Sequence, residues 1–569
     1  MNENRNMLLA LMLSALVLIG WSFLSDRFLP TAGPQTQQVD RGKVTAAPVP
    51  TRPTPQVLRD VGSVLAEGQR VKIETPSLIG SINLQGARFD DLKLAKERTT
   101  IAKDSPPVRL FSPAGAKDSY FAQYGWTSEG VETPGPDSLW IASSPTLKPG
   151  QPVTLTWRNG TGQTFEQVVS VDENYLFTVT QRVINGGASP VGLRTYGLVS
   201  RSTKSSDPSA WTNHVGPVAN LAGKTDYEVD WETLDEDKSG VTRDSRGGWL
   251  GFTDKYWLTA LAPAKGATIE ASLRKSATGA YQADYASPGF IVAPGTAASG
   301  DTRLFAGAKS KSLLDRYEED GITAFSSAID WGWFGIIMRP IADLLAWLFH
   351  ITGNFGVAII CLTLIVRTLM YPIADKQFRS FAGMRKIQPK MKEVQERFKD
   401  DKQRQQQEIL KLYQSEKVNP AAGCLPILLQ IPIFYALYKV LMVSVEMRHQ
   451  PFVLWIKDLS APDPMTPVNL FGFLDFTPPS FLAIGILPIL LGITMWLQFK
   501  LNPSPPDPIQ QQVFSIMPWI LMFIMAPFAA GLQLYWVVSN ILSIGQQKYL
   551  YYRYDHERDP PTTIEVKAK

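Results

Sequence analysis

The chain has 569 residues with 56 Lys+Arg against 52 Asp+Glu, a formal net charge of +4. That length exceeds one ordinary core, and so mild a charge gives no strongly basic surface for DNA. Apolar residues crowd at the extreme N-terminus and after about residue 333, with a polar middle between them, the pattern of a membrane protein with one large extramembrane domain.

The first predicted element is the apolar run at 7–24, inside an N-terminal unit 1–29. It is longer than a signal-peptide core and is followed by "SDRFLP" with no small-residue cleavage site, so it reads as a retained membrane anchor. Residues 30–59 are rich in Pro, Thr and Gln and read as a linker. From 60 to 325 the texture is β: short alternating runs broken by Gly and Pro, including two strands joined at Asn159-Gly160. Many short strands with close turns predict an all-β sandwich. Its acids and bases are scattered, and no catalytic constellation is visible.

Residues 326–354 carry Trp331, Trp333 and Trp347 around an apolar stretch that also holds Arg339, Pro340, Asp343 and His350. This predicts an amphipathic helix along the membrane surface, with a full span as the alternative. Five further spans follow, at 355–372, 421–443, 481–499, 509–528 and 531–549, the last two joined by a tight turn at "APFAAG". With the anchor they make six transmembrane helices. Residues 374–418 hold twelve Lys+Arg against seven Asp+Glu, while 446–480 has only Arg448 and Lys457 as basic residues. The positive-inside rule then places 374–418 and both termini in the cytoplasm and the β domain outside.

Within 374–418 two helices are expected, 376–398 and 402–417, turning at 399–401. Met384, Ile387, Met391, Val394 and Phe398 recur at steps of three and four and give one apolar seam. Two readings stay open, a solvated structural hairpin and a basic surface docking on anionic lipid or ribosomal RNA.

The spans contain no Asp or Glu, and His214, His350, His449 and His556 all lie outside them. No HExxH, CxxC or Walker loop occurs. These patterns argue against a metalloprotease, a Ser–His protease and a carboxylate relay. No enzyme activity, metal or cofactor is expected. Cys361 and Cys424 both lie in apolar runs and read as small buried residues. The unusual residue is Arg367, a permanent charge inside the 355–372 span. It stands five residues before Pro372, about 7–8 Å from that end at 1.5 Å per residue. Such an arginine either snorkels to the headgroups or faces a hydrated interior.

The stretches "NFGVAIICLTLIVRTLMYP", "KVNPAAGCLPILLQIPIFYALY" and "APFAAGLQLYWVVSN" resemble those of the YidC-type membrane protein insertases. The resemblance covers about 330–550, which includes the five-span core at 355–550, and the anchor plus outer β domain resembles the Gram-negative form, with a periplasmic domain similar to sugar-binding folds. It implies an insertase and chaperone of the cell inner membrane, working without nucleotide. Its implied partners are nascent membrane proteins, the Sec translocon, the translating ribosome and the phospholipid bilayer, with no DNA. It also implies a groove open to cytoplasm and lipid, with Arg367 projecting into it and Thr363, Gln430, Gln511, Gln512 and Trp536 as further client-contacting positions. The tail at 551–569 departs from the basic tails of some members, since 548–569 holds five basic and four acidic residues. That favours the hairpin over the tail for ribosome contact. The rival readings are a transporter or channel using the polar residues of the spans, and a tethered enzyme acting through the β domain.

Overall fold

The computed structural model describes residues 59–556 apart from 208–212, 333, 400, 417–424, 473, 475–482 and 503–507. The expected anchor, the linker up to residue 58, Trp333, the whole "VNPAAGC" stretch with Cys424, and the tail beyond 556 lie outside those residues.

The β region is a sandwich of two twisted, mostly antiparallel sheets. One is built around the strands Arg88–Arg98, Tyr120–Thr127, Val191–Arg201 and Tyr281–Ala286. The other is built around Gln163–Val171, Leu176–Asn185, Ala297–Ala308 and Trp257–Pro263. Alternation decides which side of each strand is buried. Along Gln163–Val171 the odd-numbered residues are buried and the even-numbered ones are half-exposed, the period-2 pattern of a sheet with one face on a core. Aromatics from both sheets meet in that core: Phe89 lies 5.5 Å from Phe177, and Trp126 lies 5.2 Å from Phe165. Each such ring, taken out of water, contributes about 1.5–3 kcal/mol.

The hairpin expected at Asn159-Gly160 is present, but its loop is longer than two residues. Arg158 pairs with Thr164, and the Asn159 side chain accepts from the N–H groups of Thr161 and Gln163 at 3.1 and 2.9 Å. Gly162 takes the left-handed φ of +96° that closes the turn. The asparagine therefore works as a side-chain cap on the loop.

Lys309 ends the last long strand and is 3% exposed, with its Nζ donating to Thr253 Oγ1 at 2.7 Å. Burial pushes its ammonium down to about 8, against the attraction of Asp254. The folded protein holds this proton more weakly than the unfolded chain, so stability rises as pH climbs from about 8 toward the ordinary lysine range. Lys309→Met is expected to stabilise the detergent-solubilised protein at pH 7 by on the order of 2 kcal/mol and to flatten that rise. Thermal unfolding across pH 7–10 reads both effects; a variant that melts below the parent at pH 7 contradicts them.

The helical part begins with α1 (Lys311–Glu319), α2 (Gly335–Thr352) and α3 (Phe355–Leu369), then α4 (Tyr371–Arg397) and α5 (Lys402–Ser415). It continues with α6 (Leu425–Val443), α7 (Ile486–Leu501), α8 (Pro508–Met525) and α9 (Ala530–His556). α2 buries Met338, Leu345 and Leu348 against α3 and α6 and leaves Ile336, Trp347 and Ile351 exposed. Trp331 is not an interfacial anchor as expected: it is buried in the junction beneath the β domain. Among the described residues, α2 is the one continuous helix that is both long and apolar enough to cross a bilayer by length and composition. α3 and the start of α4 meet the same test as a pair bent by 58°. The bend falls at Pro372, whose ring nitrogen cannot donate to the previous turn and whose ring crowds it. α7 has 16 residues, about 24 Å at 1.5 Å per residue against a hydrocarbon core of roughly 30 Å. The expected span at 421–443 begins in residues outside the described set, whereas α7 starts later than the expected 481 because the backbone is still extended at Gly485.

α4 and α5 form the expected hairpin, with Asp401 capping α5 through the N–H of Arg404 at 3.0 Å. Ile387 and Met391 of the seam are buried, and Tyr413 donates to the Met391 sulfur at 3.3 Å; the Met384 side chain lies outside the described set. The base of α4 is held elsewhere: Phe378 packs edge-on against Tyr551 of α9 at 5.8 Å, beside Leu550.

Candidate functional site

α9 is the hub. It packs against α3, α4, α6 and α7, and it carries the buried polar residues Gln533, Ser539, Asn540, Ser543 and Gln547. They face several neighbours. Asn540 donates to Thr494 Oγ1 of α7 at 3.2 Å, and Gln547 donates to Asn502 Oδ1 just past α7 at 2.7 Å. Gln533 turns back on the α8–α9 turn and donates to the carbonyls of Met525 and Phe528 at 2.8 and 2.9 Å. The tight connection expected at 526–531 is thus closed by a side chain of its own helix.

Arg367 faces this hub. Its Nε donates to Ser539 Oγ at 3.1 Å, and a second guanidinium nitrogen reaches the same oxygen. The side chain is partly buried, and among the described residues no carboxylate forms an ion pair with it. One turn before Ser539, Tyr535 is 2% exposed, and its hydroxyl accepts from Gln430 Nε2 of α6 at 2.9 Å. The adjacent Trp536 lies 4.7 Å from Phe434, one turn along α6 from Gln430. Arg367, Ser539, Tyr535, Gln430 and Trp536 therefore form one continuous patch across α3, α9 and α6. It combines an uncompensated cation, hydroxyl and amide groups and an aromatic wall, a set suited to holding water or a polar peptide segment within an apolar bundle.

The other expected positions lie apart from this patch. Thr363 is fully buried, and its hydroxyl donates to the Ile359 carbonyl of its own helix at 2.7 Å, which leaves it as a wall residue of α3. Gln511 and Gln512 are exposed near the start of α8, and α8 packs against α7. Tyr535 and Ser539 were missed from sequence, although their spacing of four residues puts them on one face of α9 within the quoted "LQLYWVVSN" stretch. Lys439, the one charged residue of α6, was missed as well. No group of His, Cys, Asp and Glu suited to a metal occurs among the described residues.

A large β-sandwich joined to an apolar helical bundle with a charged, polar interior patch defines a membrane protein with an extramembrane domain. Residues 347–557 match the profile of the 60Kd inner membrane protein family, and residues 70–344 match that of the YidC periplasmic domain. The chain is 48% identical to the membrane protein insertase YidC of Zymomonas mobilis subsp. mobilis, over 97% of this chain and 96% of that protein. It is 43% identical to the membrane protein insertase YidC of Rhizobium etli, over 97% and 96% of the two chains. A crystal structure of an active YidC insertase aligns over 85% of this chain and 93% of that one, at 19% identity and a TM-score of 0.38. The chain belongs to the YidC membrane protein insertase family.

Proposed function

We propose that the protein is a membrane protein insertase and chaperone that passes nascent inner-membrane proteins into the bilayer through a groove hydrated from the cytoplasm and open to lipid. The observation that carries this reading is Arg367: a cation on an apolar helix, turned onto Ser539 of α9 beside the Tyr535–Gln430 pair. Arg367, Gln430 and Trp536 contact the client's polar flank, Gln511 and Gln512 meet it at the cytoplasmic mouth, and Thr363 forms part of the wall. A client helix of about 20 apolar residues gains very roughly 6–12 kcal/mol on entering lipid, at −0.3 to −0.6 per Leu-like residue. The remaining cost is carriage of its polar flank across hydrocarbon. A wet half-path shortens that dry distance and uses no nucleotide.

In this reading the protein has six spans, cytoplasmic termini and a periplasmic β domain. α2 lies along the outer membrane surface. Asp343, in the middle of α2, pairs with Lys311 of α1 at 2.6 Å, a contact suited to an interface and unsuited to the centre of a bilayer. The cytoplasmic hairpin, net +5 over 374–418, receives clients from the translating ribosome, and the protein acts alone or beside the Sec translocon. Purified protein in liposomes is expected to insert a small two-span client without ATP and to pass no small solutes. Solute flux without insertion selects the transporter reading and overturns this one.

A further inference from the structure

Lys439 is the single charged residue of α6, and its side chain is 2% exposed. An ammonium so far out of water needs a counter-charge. Among the described residues that charge is Asp330, whose Oδ2 lies 3.4 Å from Nζ. Asp330 is not part of the bundle. It lies in the segment leaving the β domain, five residues before α2 begins. Its other oxygen accepts from the N–H of Gly332 at 2.9 Å, so the exit segment folds around the carboxylate. Gly332 has a left-handed φ of +60°, and a Cβ there would come within 3.3 Å of the Lys439 nitrogen. Phe334, at the start of α2, stands 5.7 Å from Tyr435, one turn before Lys439 on α6. Asp330, Gly332 and Phe334 are therefore seated on the C-terminal end of α6.

The two partners are unequal. Asp330 is 20% exposed against 2% for Lys439, so the carboxylate alone can be hydrated, while the ammonium alone is stranded. Removing one member of a buried pair is costly mainly through the charge left behind.

We propose that Asp330 pins the exit segment of the β domain on α6 as the counter-charge that lets the Lys439 ammonium stay buried beneath it, and that Asp330 is a positioning residue for insertion because an unneutralised ammonium there pushes the segment, and α2 after it, off α3 and α6. Only the activity arm of the test rests on the insertase reading. The pair predicts an asymmetric cycle in which the loss of the carboxylate is repaired by also losing the ammonium.

The full-length protein in lipid nanodiscs tests this with Asp330→Asn, Asp330→Glu, Lys439→Leu and the double variant Asp330→Asn/Lys439→Leu. Amide exchange is followed across 330–352, and insertion is measured in liposomes. Asp330→Asn is expected to speed exchange there by about tenfold or more and to lower insertion in step. Lys439→Leu, Asp330→Glu and the double variant are expected to stay close to the parent in both. Parental exchange in Asp330→Asn, or a double variant no better than Asp330→Asn, overturns the pin. The predicted exchange pattern with insertion unchanged in every variant overturns the positioning role. A parent that inserts nothing is instead a failure of the insertase reading, and the exchange cycle still decides the pin.

Discussion

Arg367→Ala is expected to leave the bundle folded and to cut insertion of clients with acidic N-terminal flanks by about tenfold, while clients with neutral flanks change little. A carboxylate near the bilayer centre costs about 2.5–3.5 kcal/mol on insertion scales. A cation that offsets about half of that accounts for a factor of ten. Arg367→Lys keeps the charge and is expected to keep most of the activity. Ser539→Ala removes the hydroxyl that orients the guanidinium but not the charge, so its effect is the smaller. Accessibility gives an independent reading. With Cys361 and Cys424 replaced by alanine, Arg367→Cys is expected to react with a water-soluble thiol reagent added from the cytoplasmic side. An unreactive thiol, together with normal insertion of acidic-flanked clients by Arg367→Ala, makes Arg367 a snorkelling anchor and sinks the mechanism.

Replacing 380–415 with a Gly/Ser linker is expected to preserve the spans and lower insertion by about five- to thirtyfold, the scale set by losing one or two charge contacts of about 1 kcal/mol each. The cut leaves Phe378 and its contact with Tyr551 in place, so the base of α4 stays docked on α9. What is removed is a two-helix arm held together chiefly by Ile387, Met391 and Tyr413, with its outer faces exposed. Few buried contacts mean easy local opening, which suits a segment that meets varied clients. Reconstituted insertion rates for the parent and the replaced protein decide the point, and equal rates leave the arm as a structural connector.

The sandwich and the hairpin were legible because each rests on local periodicity. Strands with one buried face show it every second residue, as Gln163–Val171 does, and the hairpin helices, expected at 376–398 and 402–417, are observed at Tyr371–Arg397 and Lys402–Ser415. The earlier start of α4 was hidden because Pro372 reads as a breaker, yet proline is at home in the first turn of a helix. Arg367 was legible as a misfit in an apolar run. Its partner was not, since Ser539 lies 172 residues away and the facing of two helices is set by packing that periodicity does not encode. The same limit hid the tie between Lys439 and Asp330. Thr363 shows the converse: a polar residue in a span reads as a site candidate, but its hydroxyl is taken up by the carbonyl one turn back.

Gln533 carries an electrical consequence. By donating to the carbonyls of Met525 and Phe528, it lets the α8–α9 turn satisfy its backbone without solvent. On the proposed topology that turn is on the outer side, so the layer beneath it can stay dry while the cytoplasmic half is wet. The membrane voltage then falls mostly across that thin dry layer, where one elementary charge exchanges about 2.3 kcal/mol per 100 mV. With the cell interior negative, the force on an acidic flank points outward and is strongest over the last few ångströms, beyond the reach of Arg367. On the proposed mechanism, the arginine draws the flank in and the focused field carries it the rest of the way.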